Sequence, residues 1–170
     1  MNILNWFRKV FRNEPQVRSA ARVWVGDGTW PFVAVEDGQD IILRPRTPAC
    51  KMHVTGFGGD DDPQDSGETA SGVMTKGNPN VMGCALPMPA AKSCRGTPLK
   101  QLPYLKTLVT LSVGRTHLTV PLIDIGPARS SGNTLDLTQR AFKQFAPLRR
   151  GKFRADEIRI IDALKHFSPQ

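Results

Sequence analysis

From residue 22 to residue 46 the chain alternates apolar and polar positions, RVWVGDGTWPFVAVEDGQDIILRPR, around Asp27-Gly28 and Asp37-Gly38. A period of two interrupted by dipeptides that tolerate positive φ predicts antiparallel hairpins. It puts Val33 and Val35 on one face, with Ile41 to Leu43 returning beside them. Pro45 and Pro48 then end the pattern. From Cys50, CKMHVTGFGG reads as a strand, and the DDDPQDSGETASG that follows is too acidic and too rich in Gly and Ser to enter a core. Residues 76 to 107 break at every proline and hold only a short apolar piece near Ala85 and Leu86. A connection so long and irregular is uncommon in a compact domain and is often functional.

Further along, TLVTLSVGRTHLTVPLIDIG predicts two strands joined at Gly114-Arg115. Val109, Leu111 and Val113 alternate with polar partners, whereas Val120 to Ile125 is continuously apolar, as in a strand buried on both sides. Thr138 suits a helix N-cap, with Leu137 stapled to Phe142 and an inward face of Phe142 and Phe145 running until Pro147. A last strand is predicted at about Glu157 to Leu164. The sum is at least six short strands and one clear helix.

Composition agrees with this β-rich reading. A chain of 170 residues suits one core with terminal extensions. Pro 14 and Gly 15 against 7% aromatics favour turns and short strands. The first twelve residues, MNILNWFRKVFR, space Ile3, Leu4, Phe7, Val10 and Phe11 as one helical face between basic residues. Such a segment fits a membrane surface or a partner, although a short helix packed on its own domain is the commoner outcome. It does not read as a secretory signal, and no stretch is long enough to span a bilayer. A net charge of +8 attracts polyanions, whether nucleic acid, anionic membrane or acidic wall polymer. The basic stretches carry neither interleaved aromatics nor a nucleic-acid motif, which disfavours nucleic acid. Cys50, Cys84 and Cys94 lack zinc-ribbon spacing. A Cys84–Cys94 bridge and free thiols both remain open.

Two aspartates stand out. Asp124 ends the most apolar strand, where partial desolvation creates the environment of a general acid; the alternative is an aspartate that accepts amide bonds to close the turn at Gly126-Pro127. Asp136 precedes the predicted helix, where it can cap the first turn or stay ionised as a base or stabiliser. The acidic loop offers Asp60, Asp61, Asp62, Asp65 and Glu68, a solvated charge run without EF-hand spacing. Glu68, Thr69 and Ser71 suit a polar, sugar-binding groove. His53, His117 and His166 have no paired-ligand spacing, and no GxSxG occurs. No metal site and no cofactor are expected.

The strings TGFG, ETASG, ALP, GTPL, DIGP and LDLT stand in this order between Cys50 and Leu164. In that order the chain resembles the double-psi β-barrel of rare lipoprotein A and expansin-like proteins. It is also similar to the barrels of lytic transglycosylase A and three-aspartate-domain proteins. The resemblance implies a mainly β fold: a six-stranded double-psi β-barrel with one or two short helices over residues 49–167. An N-terminal β-hairpin extension at 22–48 and an amphipathic segment with linker at 1–21 would precede it. It also implies peptidoglycan or another acidic wall polysaccharide as partner. On the resemblance Asp124 and Asp136 would be catalytic and Thr69 and Ser71 substrate-binding; Glu68, Asp65 and Phe57 join the expected substrate-binding set from the residues themselves, since Glu68 precedes the TASG string where that family's glutamate follows it. Two departures matter: MGCALP places Cys84 where that family has a histidine, and Ile125 follows Asp124 where arginine is typical. A lytic transglycosylase and a non-catalytic expansin-like wall-binding module are therefore both expected readings. A wall-active protein belongs in the cell envelope or outside the cell. With no classical signal visible, a phage-encoded protein, non-classical export or a lost leader are the routes left.

Overall fold

The computed structural model describes residues 23–24, 31–60, 66–87 and 105–166. The amphipathic segment, the turn at Asp27-Gly28, Asp61, Asp62, Asp65 and Cys94 lie outside them. The fold is mainly β, a curled mixed sheet of half-barrel form with very little helix. Its strands are β1 (Val23–Trp24), β2 (Phe32–Asp37), β3 (Asp40–Pro45), β4 (Met52–Phe57), β5 (Cys84–Leu86), β6 (Leu108–Val113), β7 (Thr116–Ile125), β8 (Leu135–Thr138), β9 (Lys152–Ala155) and β10 (Glu157–Ile160). The order across the sheet is β1-β2-β3-β10-β6-β7-β5-β8-β4-β9.

The first half of that order is antiparallel and built from local turns. β2 and β3 pair through Gly38, whose φ of 64° is the positive value the Asp-Gly turn requires. Phe32 and Ala34 face the core, while Val33 and Val35 share the outer, half-buried face. β3 pairs with β10, so the N-terminal hairpin continues the main sheet, and Ile41 and Leu43 enter the same core as Ile158 and Ile160. β6 and β7 form the hairpin expected around Gly114-Arg115.

The second half is mixed. β4 runs parallel to β8, β5 runs parallel to β7, and antiparallel pairs β5–β8 and β4–β9 complete it. The short apolar piece at Ala85 and Leu86 is the fully buried strand β5, which lies between β7 and β8. Met52, Val54, Leu135, Leu137 and Phe153 line this half of the core, each burial contributing about 1.5–3 kcal/mol.

Three expectations need correction. The helix expected from the Thr138 cap towards Pro147 starts where expected but is a single turn, α1 (Gln139–Phe142), and Leu135–Thr138, read as its lead-in, pairs between β4 and β5 as a strand. Tertiary pairing there outweighs local propensity. Thr138 is the N-cap residue of α1 as expected, but its hydroxyl makes no capping bond: it donates to Val81 O at 2.8 Å and accepts from Gly83 N at 3.2 Å. Phe142 and Phe145 do face inward, at 5.0 and 5.2 Å ring-centre separation from Phe153. The last strand, β10, starts at Glu157 as expected, and an unexpected strand, β9, precedes it across Asp156, whose carboxylate accepts from Gly114 N at 2.7 Å. β10 ends at Ile160 rather than Leu164, since Asp162 takes a positive φ of 53° and Leu164 belongs to a 3-10 turn. Val120 to Ile125 is not buried throughout: Ile125 is 40% exposed.

Candidate functional site

The mixed half places one row of residues across four strands. Ala85 on β5 is opposite Asp124 on β7 and also opposite Asp136 on β8, and Asp136 is opposite Thr55 on β4. Directly opposed residues point to the same side of a sheet. Asp124, Asp136 and Thr55 therefore share one face, with only the methyl group of Ala85 between the two carboxylates. A register shift between Cys84 and Ala85 brings Ala85 opposite Asp124; such bulges re-aim side chains. At about 4.8 Å per strand, the two aspartates are roughly 10 Å apart along the backbone row.

This row is the floor of an open groove of about 420 Å³, which Phe57, Ile125, Gly126, Pro127, Ser131 and Asn133 help to line. Gly126 lies over the row: a Cβ there would come 3.8 Å from both Asp136 Oδ2 and the Ala85 methyl. A larger side chain at 126 would fill the space above the second aspartate.

Asp124 is half-buried, and its Oδ1 accepts from Ala70 N at 2.9 Å and from Ile125 N at 2.8 Å. It is thus less secluded than a strand-end carboxylate in an apolar run suggests. The amide bonding expected of a turn-closing aspartate is present, yet the side chain still lines the groove. Asp136 is not a helix cap. It lies within β8, where Oδ1 accepts a hydrogen bond from the Thr55 hydroxyl.

The ETASG loop contributes through its backbone. Ala70 N holds Asp124, and Ser71 N donates to Ile123 O at 3.0 Å, which fastens the loop to the end of β7. Thr69 is only 4% exposed; its hydroxyl donates to Val73 O at 2.9 Å and lies 3.0 Å from the Ser71 hydroxyl. Both hydroxyls thus close the loop and do not line the groove. Glu68 is exposed, pairs with Met74 in an isolated bridge and also stands away from the groove wall. Phe57 does line it, and Asp65 is outside the described residues. Thr55, Gly126 and Asn133 escaped the sequence reading. Only the HVTGF alternation, which puts Thr55 on the same face as Phe57, offered a signal for any of them.

Beyond Thr55 the row continues onto β9. Lys152 is opposite Thr55 and Arg154 is opposite His53. His53 titrates below its ordinary range, first because it is partly desolvated and then because Lys152, Lys51 and Arg154 repel its charged form. Cys84 is a free thiol, and full burial pushes its pKa far up. Among the described residues no group of three or more His, Cys, Asp or Glu side chains gathers as a metal site, and no helix is long and apolar enough to cross a membrane.

Comparison with known proteins adds little. No family model matches the chain, and no curated protein matches it. Among solved structures it is similar to a Streptomyces papain inhibitor, with 24% identity, 65% of this chain and 90% of that chain covered, and a TM-score of 0.42.

Proposed function

We propose that the mixed half belongs to a six-stranded double-psi β-barrel whose groove binds peptidoglycan, or a related acidic wall polysaccharide, and cleaves it as a lytic transglycosylase does. The barrel reading is supported by connectivity. β9 pairs with β4 and β10 pairs with β6, while only Asp156 separates β9 from β10. One bent strand would therefore link the two ends of β6-β7-β5-β8-β4, a set that contains two parallel pairs. The cleavage reading rests on one observation: Asp124 and Asp136 lie in one row on the floor of an open groove.

In this reading Asp124 is the general acid, and a proton passes from it to the glycosidic oxygen as the C1–O bond breaks. Positive charge then builds on the sugar ring, and Asp136, held by Thr55, lies across the groove to stabilise it. The 6-hydroxyl of the same sugar attacks C1, and its proton returns to the Asp124 carboxylate. The products are a 1,6-anhydro end and a free 4-hydroxyl, and no water is consumed. The protein would act in the cell envelope or outside the cell.

A second reading is favoured by the hydrogen bonds themselves. Amides hold Asp124 Oδ1 and a hydroxyl holds Asp136 Oδ1, an arrangement that also suits a non-catalytic wall-binding module. Incubation with purified sacculi separates the two. Anhydro-muramyl products released by the wild type and not by Asp124→Asn support the enzyme, whereas retention of both proteins without release supports the module.

A further inference from the structure

Next to the groove, the row that forms its floor continues onto a strand of opposite charge. Lys152 and Arg154 alternate on β9 with the buried Phe153 and Ala155, so both cations point to the outer side of the sheet. They are opposite Thr55 and His53, and Thr55 is already part of the groove floor. Lys51 precedes β4 with an exposed side chain, and Arg149 and Arg150 are exposed in the 3-10 turn before β9. Among the described residues the ion pairs use Arg44, Arg159 and Lys165, and none of these five cations. The titration of His53 is depressed first by its partial burial and then by three of these five cations, Lys152, Lys51 and Arg154.

From this juxtaposition we infer that β9 and its flanks form a cationic subsite, continuous with the groove, that holds the carboxylates of an anionic glycan while the adjoining sugar lies over the aspartates. The inference rests on the reading of the groove as a wall-glycan site and names which part of that polymer is recognised. Lys152, Thr55, Asp136, Ala85 and Asp124 occupy one row of five adjacent strands, roughly 19 Å from end to end. A ligand along it meets positive charge at one end and two carboxylates at the other. A uniformly anionic phosphodiester backbone would meet acidic side chains over half of that path, and among the described residues the aromatic between the two β9 cations, Phe153, is buried and offers no face to stack bases. A polymer whose acidic groups alternate with neutral rings matches both halves.

The test compares Asp124→Asn with the triple variant Asp124→Asn/Lys152→Ser/Arg154→Ser, so that cutting does not obscure binding. Retention is measured on native sacculi, on sacculi whose carboxyls have been amidated, and on a single-stranded oligonucleotide. The two added positions are exposed on an edge strand, and circular dichroism checks that the fold persists. The expected result is roughly tenfold weaker retention of the triple variant on native sacculi, with no difference on amidated ones. Equal retention on native sacculi overturns the inference, as does an undiminished difference after amidation. Tighter, strip-dependent retention on the oligonucleotide overturns it too, in favour of a phosphate-backbone site. Product release by the wild type is read separately: its absence alongside strip-dependent retention would remove the cleavage reading and leave the subsite standing.

Discussion

The antiparallel and mixed halves of the sheet use their outward polar groups in opposite ways. On β3, β10, β6 and the start of β7, charged and hydroxyl groups satisfy one another. Arg44 meets Glu157 at 3.3 Å, Arg159 meets Asp37 at 2.8 Å and Asp40 at 2.9 Å, and the Thr110 and Thr119 hydroxyls lie 2.8 Å apart. On β5, β8, β4 and β9 the two aspartates line an open groove, and among the described residues Lys152 and Arg154 stay out of ion pairs. Parallel strands are normally covered on both faces. A polar face left open by the described residues over the β4–β8 and β5–β7 pairs is therefore poorly explained by stability. In the proposed reading, the half whose outward groups pair with one another is scaffold, and the half that carries the groove takes the ligand.

Asp124→Asn should break this contrast most visibly. A general acid contributes about 10²- to 10⁴-fold, so anhydro-product release should fall by at least about a hundredfold while the melting temperature stays close to that of the wild type. Undiminished release would reduce the mixed half to scaffold as well. Next in size is Phe153→Ala, which removes the ring that Phe142 and Phe145 pack against. Urea unfolding should report a loss of about 3–5 kcal/mol. By contrast Thr110→Ala, on the self-satisfied face, should cost about 1 kcal/mol or less. Similar values for the two would mean that the packing of β9 onto α1 is not what holds the mixed half in place.

How legible each half was follows from the same difference. The β2–β3 and β6–β7 hairpins are encoded by alternation and by turn dipeptides a few residues apart, and both formed where the sequence placed them. β8 was misread because LDLTQRAF carries a strong helix-start pattern. Pairing with β4, about eighty positions earlier, and with β5 overrode it. Nothing local in the chain could announce those partners. The same limit applies to the site. Asp124 and Asp136 were visible as unusual carboxylates, yet their shared row depends on Ala85 lying between them, and the role of Thr55 depends on the parallel register. The TASG string drew attention to the correct loop for the wrong atoms: its hydroxyls close the loop and an amide holds Asp124.

Smaller effects sharpen the contrast. Thr55→Val removes the hydroxyl that holds Asp136 Oδ1. Hydrogen bonds to charged groups are worth about 1.5–3 kcal/mol, so product release should fall by roughly tenfold or more, and Thr55→Ser should restore most of it. Failure of serine to rescue would show that the methyl packing of Thr55 matters and its donor does not. Arg159→Met removes both contacts to Asp37 and Asp40, but the guanidinium is 32% exposed. Such pairs contribute about 1 kcal/mol or less. The loss should diminish further in high salt, with product release unchanged.

The smallest effect is a titration. In the unfolded chain His53 takes up a proton near its ordinary value of 6.5, whereas in the folded protein burial, and then Lys152, Lys51 and Arg154, hold it neutral to lower pH. Between those two values the unfolded state binds more protons, so the contribution of His53 to stability is full above the unfolded value and is lost as the pH falls towards the folded one. An NMR titration of the His53 ring should therefore give a midpoint below 6.5 in the native protein. In Lys152→Ser/Arg154→Ser the midpoint should move upward without reaching the unfolded value, because desolvation is the larger cause and remains. A midpoint that does not move would mean that the β9 cations do not converge on β4. The charged strand next to the groove, and with it the contrast between the two halves, would then rest on exposure alone.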